Sequence, residues 1–196
     1  MSSEPGCRIR IALPGEQAPK FASLLQQGFY QPIAGPVAIL DFLVALPGFS
    51  REYIESEVQT IFHNGVATDS LGSLLYAGDT LALSAAMPGL AGAIFRREGM
   101  HASLRCTVEE THDPDRNRAG FVMVKLYNSI GSDRVVDLML RGVRIAAKGF
   151  LGFIERRGDL FRDPLRILHE DRAISTDRLL ELVAACEQVE LDLFAE

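Results

Sequence analysis

Between positions 109 and 115 the chain reads Glu109-Glu110-Thr111-His112-Asp113-Pro114-Asp115, its densest gathering of carboxylates around a histidine. Oxygen ligands of this kind suit a hard cation, but a calcium loop alternates Asp or Asn and needs Gly at its sixth position, which this spacing does not supply. The stretch therefore reads as a solvated loop. His63, His101 and His169 stand alone, with no H-x-x-x-H or H-E-x-x-H pattern to set two imidazoles on one face, and each reads as a surface or capped histidine, not a ligand. The three cysteines, Cys7, Cys106 and Cys186, are far apart and form no C-x-x-C pair. They read as reduced thiols, with Cys7 and Cys186 as small hydrophobes filling a core. Glu181, Glu187, Asp159 and Asp163 are scattered carboxylates. No G-x-S-x-G elbow, P-loop or G-x-G-x-x-G fingerprint is present. No catalytic, cofactor-binding or metal-ligating residue is assigned on this basis, and no cofactor is expected.

The elements that would position any site are those of an ordinary globular chain. At 196 residues the sequence is long enough for one large or two small cores, and 47% hydrophobic against 23% charged residues separates it from disordered chains. A net charge of -6 argues against a nucleic-acid partner, which requires clustered Lys and Arg to neutralise phosphates. The basic doublets Arg96-Arg97 and Arg156-Arg157 are too short for such a stripe and read as solvated surface. The longest apolar run, 37–46, contains Asp41 and stops at Pro47-Gly48, well short of the roughly 20 residues a membrane span needs. The first six residues lack the basic start and apolar core of a signal peptide, so a cytoplasmic location without membrane attachment is expected.

Period two alternation marks residues 7–13 as a strand, and Pro14-Gly15-Glu16 as a turn into a second strand at 21–25. In 36–46 the period changes. Ile39, Phe42, Leu43 and Leu46 form a helical stripe, with Pro36 at the start and Gly48 at the stop. A helical turn over 50–56 capped by Ser50, a strand at 58–62, an Asn64-Gly65 hairpin into 66–68, and a strand at 80–86 after Gly78-Asp79 complete the first half. In the second half, strands are expected at 103–108, 121–127, 165–168 and 189–194. A helix capped by Ser132 or Asp133 should bury Val136, Met139, Leu140 and Val143, and a final helix capped by Ser175 or Thr176 should align Leu179, Leu182, Val183 and Cys186. Residues 144–154 fit either state.

Three ordered segments carry a family resemblance: Phe62-His63-Asn64-Gly65, then Leu75 through Leu83 around Gly78-Asp79, then Met87-Pro88-Gly89-Leu90-Ala91-Gly92-Ala93. Their order and spacing resemble the closing half of the MoaD/ThiS sulfur carriers, the small subunit of molybdopterin synthase and its thiamine-pathway counterpart. The resemblance implies an α+β fold with a ubiquitin-like β-grasp over residues 1–95, in which a mixed sheet curls around one helix. Residues 96–196 interleave strands and helices as a small α+β domain of unknown function, with a ferredoxin-like arrangement as the analogy.

In the carriers a free Gly-Gly carboxylate is adenylated and converted to a thiocarboxylate, and the glycines let the tail thread a narrow channel. Here Ala93 stands at the terminal glycine, and Ile94-Phe95-Arg96-Arg97 continues the chain. The expectation is an interaction or scaffold module with a protein partner, presenting Met87, Pro88, Gly89, Leu90, Gly92 and Ala93 as its candidate segment. Homo-oligomerisation is compatible with it. The alternatives are a sulfur carrier or molybdopterin- or thiamine-pathway component released by proteolysis, and an enzyme with its pocket between two domains.

Overall fold

The computed structural model describes residues 7–12, 15–97, 99, 117–161 and 166–194. The 109–115 loop, His101, Cys106 and the strand expected at 103–108 lie outside them. The chain opens with strand β1 (Cys7–Ala12), then a 3-10 turn (Gly15–Phe21) running into helix α1 (Ala22–Gln27). The strand expected at 21–25 is therefore helical. Phe21, Leu24 and Leu25 are all at most 1% exposed, and their i, i+3, i+4 spacing is a helical stripe that outweighs the turn chemistry upstream. Gly28, at φ 116°, ends the helix.

There follow β2 (Phe29–Ile33), β3 (Val37–Ala38), α2 (Ile39–Val44), α3 (Arg51–Ser56), the hairpin β4 (Thr60–His63) and β5 (Val66–Ala67), β6 (Leu74–Leu75), β7 (Thr80–Ser84) and α4 (Gly89–Phe95). The rest comprises β8 (Gly120–Tyr127), α5 (Ser129–Arg141), β9 (Val143–Ala146), α6 (Ala147–Arg156), β10 (Ile167–His169), β11 (Arg172–Ile174), α7 (Thr176–Ala184) and β12 (Gln188–Phe194). The fold is mixed α+β. Ser50 caps α3 by accepting the Tyr53 N–H, and Ser175 caps α7 by accepting that of Arg178. Residues 144–154 satisfy both readings in turn, as the strand β9 and then the helix α6. Helix α5 begins earlier than its expected cap and is rotated: Ile130, Val135, Leu138 and Met139 are buried, while Val136 and Leu140 are 40% and 58% exposed. Val143 belongs to β9.

The chain divides into two compact units, Met1–Phe29 with Val135–Glu196, and Tyr30–Arg134. The boundary expected at 95/96 falls inside the second. In the first unit the strand order is β11-β10-β1-β12-β9. Its central pair, β1 and β12, is parallel with Ile9 opposite Leu191, and β1–β10, β10–β11 and β12–β9 are antiparallel. Phe21, Phe150, Phe153 and Phe161 form an aromatic core, with the Phe21 and Phe153 rings 5.0 Å apart. On the other side of the strands Asp192 is buried and accepts from Arg8 and Arg10, which gives its charge the partners that burial demands.

The second unit has the order β2-β8-β7-β4-β5, with a separate β3–β6 pair. Here too the central pair, β7 and β8, is parallel, and β4 is antiparallel to both β7 and β5. Ile61, Leu83 and Leu126 lie in one cross-strand row, and Leu81 and Val124 in the next. All five are at most 1% exposed, and Ile39, Phe42, Leu43 and Leu46 bury the helical stripe foreseen from the sequence. A similar order of elements, a strand, a helix, a strand, a helical stretch, a hairpin and a closing strand, runs over 7–84 and over 120–194, the first adding the β3–β6 pair and the second placing helix α7 between its hairpin and its closing strand. The leading strand of each half, β1 or β8, sits in the unit built mainly from the other half.

Candidate functional site

The motifs that carry the sequence resemblance converge in the second unit. Asn64 and Gly65 take φ of 50° and 83°, the two positive values of a type I′ turn between β4 and β5. Gly78, at φ 92°, turns the chain into β7. These turns are tied together by Asp79, which is 1% exposed. Its Oδ2 accepts the Tyr76 N–H at 2.8 Å and lies 2.8 Å from His63 Nε2, while its Oδ1 accepts from Asn64 Nδ2 at 2.8 Å. Asn64 Oδ1 accepts the Thr80 N–H in return. His63, read from the sequence as isolated, is therefore the part-buried partner of a buried carboxylate. The Tyr76 N–H and Asn64 Nδ2 that Asp79 accepts belong to the two turns, so the arrangement locks their geometry.

From that locked strand the candidate segment emerges. Residues 85–95 carry no titratable side chain, so the segment can bind by apolar contact but cannot itself move a proton. Pro88, with φ −74° and ψ 158°, precedes α4, and Gly89 enters it at φ 77°. Residues 89–95 are helical and not an extended thread. Gly92 is buried where its α-carbon passes the Met87 backbone, and a Cβ there would fall 1.7 Å from the Met87 carbonyl oxygen. Phe95 returns the helix to the sheet against Phe62, ring centroids 5.3 Å apart.

Arg97 closes the anchor. Its N–H donates to the Gln59 carbonyl at 2.7 Å, and its Nη1 donates to the carbonyls of Ile54 and Val58, both at 3.1 Å. The doublet read as solvated surface is thus half structural: Arg96 is exposed, whereas Arg97 satisfies carbonyls at the end of α3. Pro88, Gly89 and Ala93 are exposed and Met87 is half-buried. Leu90 is 73% exposed, the most exposed large hydrophobic side chain among the described residues.

Nearby, Tyr53 donates to Asp133 at 3.0 Å and lies beneath the Arg134 guanidinium, 4.1 Å from the ring centroid. Burial, then the Asp133 carboxylate, pushes the Tyr53 hydroxyl up to about 12. The first unit holds a largely apolar cavity of about 740 Å³ lined by Leu151, Ile154, Phe161 and Leu180, with Lys148 and Glu155 among its polar members. No sequence motif pointed to it. Among the described residues no three His, Cys, Asp or Glu side chains gather to hold a metal ion, and no helix is long and apolar enough to cross a membrane. Comparison with protein-family models, with curated proteins and with solved structures returns no match for this chain.

Proposed function

We propose that the chain is an interaction or scaffold protein whose second unit is a β-grasp with an exchanged strand, presenting the α4 turn to a protein partner. A β-grasp is a mixed sheet around one helix, with a parallel central pair formed by the first and last strands of the motif. The order β2-β8-β7-β4-β5, with β7 parallel to β8, supports this reading if β8 takes the place of the first strand. The first unit's order, with β1 and β12 as the parallel pair, supports a second such sheet, in preference to a ferredoxin-like one.

The observation that carries the functional reading is Leu90, held outward on a short helix fixed by Gly92, Phe95 and Arg97. A rigid, solvated hydrophobe loses little entropy when it docks and gains its full apolar burial, about 2 kcal/mol for a leucine. A photo-activated cross-linking residue placed at Leu90 in cells should give one dominant protein adduct. The same residue at Glu52, exposed on α3 of the same unit, should not; equal labelling at both positions would reject the reading.

The rival is a sulfur carrier released by a protease, and the mass of the protein from its own cells separates the two. A scaffold should retain residues beyond Ala93. A chain ending near Gly92, with sulfur in place of one carboxylate oxygen, would establish the carrier.

A further inference from the structure

The cavity of about 740 Å³ in the first unit is walled by α6, by α7 and by the 3-10 turn Gly158–Phe161. Ile154 and Phe161 are buried and Leu151 and Leu180 half-buried, so the middle of the site is apolar. Its volume falls among those of small-molecule sites, about 300–1,000 Å³. Lys148, Leu151, Gly152 and Glu155 stand at i, i+3, i+4 and i+7 along α6 and share one helix face. The two charges are the second and second-last residues of that helix, two turns or about 10 Å apart.

Three choices on this face oppose the helix that carries them. A lysine in the first turn and a glutamate in the last are each set against the helix dipole. Both side chains are exposed, and neither has an ion-pair partner among the described residues. Gly152 weakens the helix interior, yet packing does not demand it. The nearest atom to a Cβ there would be Nη1 of Arg156, 3.2 Å away at the far end of a flexible side chain. Residues that work against their own element are expected where a site is kept.

We propose that this cavity binds a short apolar peptide with free ends, about three residues long, its carboxylate on Lys148 and its ammonium on Glu155. Three extended residues span about 10 Å, which matches the separation of the two charges. The peptide's apolar side chains cover Leu151, Ile154, Phe161 and Leu180. The dipole that disfavours Lys148 and Glu155 favours the ligand's charges, a carboxylate at the start of α6 and an ammonium at its end. A fatty carboxylate would satisfy Lys148 but lay its tail against Glu155, and an alkylamine would do the reverse, so each leaves one charge without a partner. Thr176 Oγ1 donates to the Phe161 carbonyl at 3.3 Å, which fixes the start of α7 at the site and leaves its lone pairs to accept a peptide N–H.

The test is an amide NMR titration of the full chain with trileucine, its N-acetyl and C-amide forms, and decanoate. Trileucine should bind with a dissociation constant below about 1 mM and shift amides of α6 and α7, and blocking either end should weaken it about fivefold. Lys148→Ala should remove the effect of amidation and keep that of acetylation, and Glu155→Gln should do the reverse. Both side chains are exposed, so these variants keep the fold. Gly152→Leu should lose binding while its melting temperature stays at or above that of the parent chain, which separates a filled cavity from a damaged fold. No saturation up to about 10 mM, shifts centred outside α6 and α7, free and blocked peptides binding alike, or decanoate binding more tightly than trileucine would each overturn the site. Sensitivity to amidation that survives Lys148→Ala, or to acetylation that survives Glu155→Gln, would overturn the assigned direction of the peptide.

Discussion

Replacing Asp79 with alanine is expected to cost about 3 kcal/mol of folding stability, the largest loss anticipated from any single polar side chain in the second unit. The carboxylate is 1% exposed and receives the Tyr76 N–H, Asn64 Nδ2 and His63 within 2.8 Å. Truncation leaves these groups facing an apolar gap. An orphaned buried donor costs about 1–3 kcal/mol, and the costs are not additive because the turns can open and admit water. Against a total stability of about 5–15 kcal/mol, a loss of this size is a large share of the whole. Asp79→Asn should be milder, about 1–2 kcal/mol, since it keeps Oδ1 as an acceptor for Asn64 but sets an amide NH2 against the Tyr76 N–H. Urea unfolding with an unchanged m-value is the measurement. A loss below about 1 kcal/mol for Asp79→Ala would mean that the carboxylate is hydrated and the turns are held by their glycines alone.

That knot also shows where sequence reasoning reached and where it stopped. Asn64-Gly65 and Gly78-Asp79 were legible as turns because positive φ is a local requirement and few residues meet it. Ser50 and Ser175 were legible as caps for the same reason: the donor each satisfies is three residues away. The His63–Asp79 bond spans 16 residues and no local rule announces it. Alternation likewise marked 7–13 and 189–194 as strands, which the structure has as Cys7–Ala12 and Gln188–Phe194, and identified the apolar face of the first. It could not say that they lie side by side in parallel. Periodicity gives the face of an element and is silent about its neighbour.

The exchanged strands are the extreme case of this. A boundary near residue 95 divides the two successions of elements, and each half contains a complete set of strands and helices. Nothing in the alternation of β1 or β8 distinguishes packing within its own half from packing in the other, because both sheets offer a parallel partner and an apolar face. Helix α5 failed on a finer scale. The expected stripe of Val136, Met139 and Leu140 and the buried one of Val135, Leu138 and Met139 share Met139 and the same i, i+3, i+4 spacing, shifted by one residue, and the difference is decided by what the helix rests on.

Gly92 separates the two meanings a glycine can have in the candidate segment, and its replacement by alanine is the second large effect expected. In an extended carrier tail glycine is needed by the partner's channel, so Gly92→Ala would leave the isolated protein's folding untouched. In the folded segment the added methyl would stand 1.7 Å from the Met87 carbonyl oxygen and 2.5 Å from its carbon. Both are backbone atoms, so no rotamer change relieves the clash and α4 must lift. Lifting separates Phe95 from Phe62 and strains the Arg96 N–H to Gly92 and Arg97 N–H to Gln59 hydrogen bonds. The expected cost is about 2 kcal/mol, confined to this segment, so that amide exchange of Arg96 and Arg97 should accelerate about 30-fold while β7 and β8 keep their protection. Ala93→Gly is the complementary change. It restores the carriers' terminal glycine pair at an exposed helical position and should cost no more than about 1 kcal/mol, the ordinary penalty for glycine in a helix. If Gly92→Ala leaves exchange at Arg96 and Arg97 unchanged, α4 is not anchored as described and Leu90 loses the rigid support on which the docking role depends.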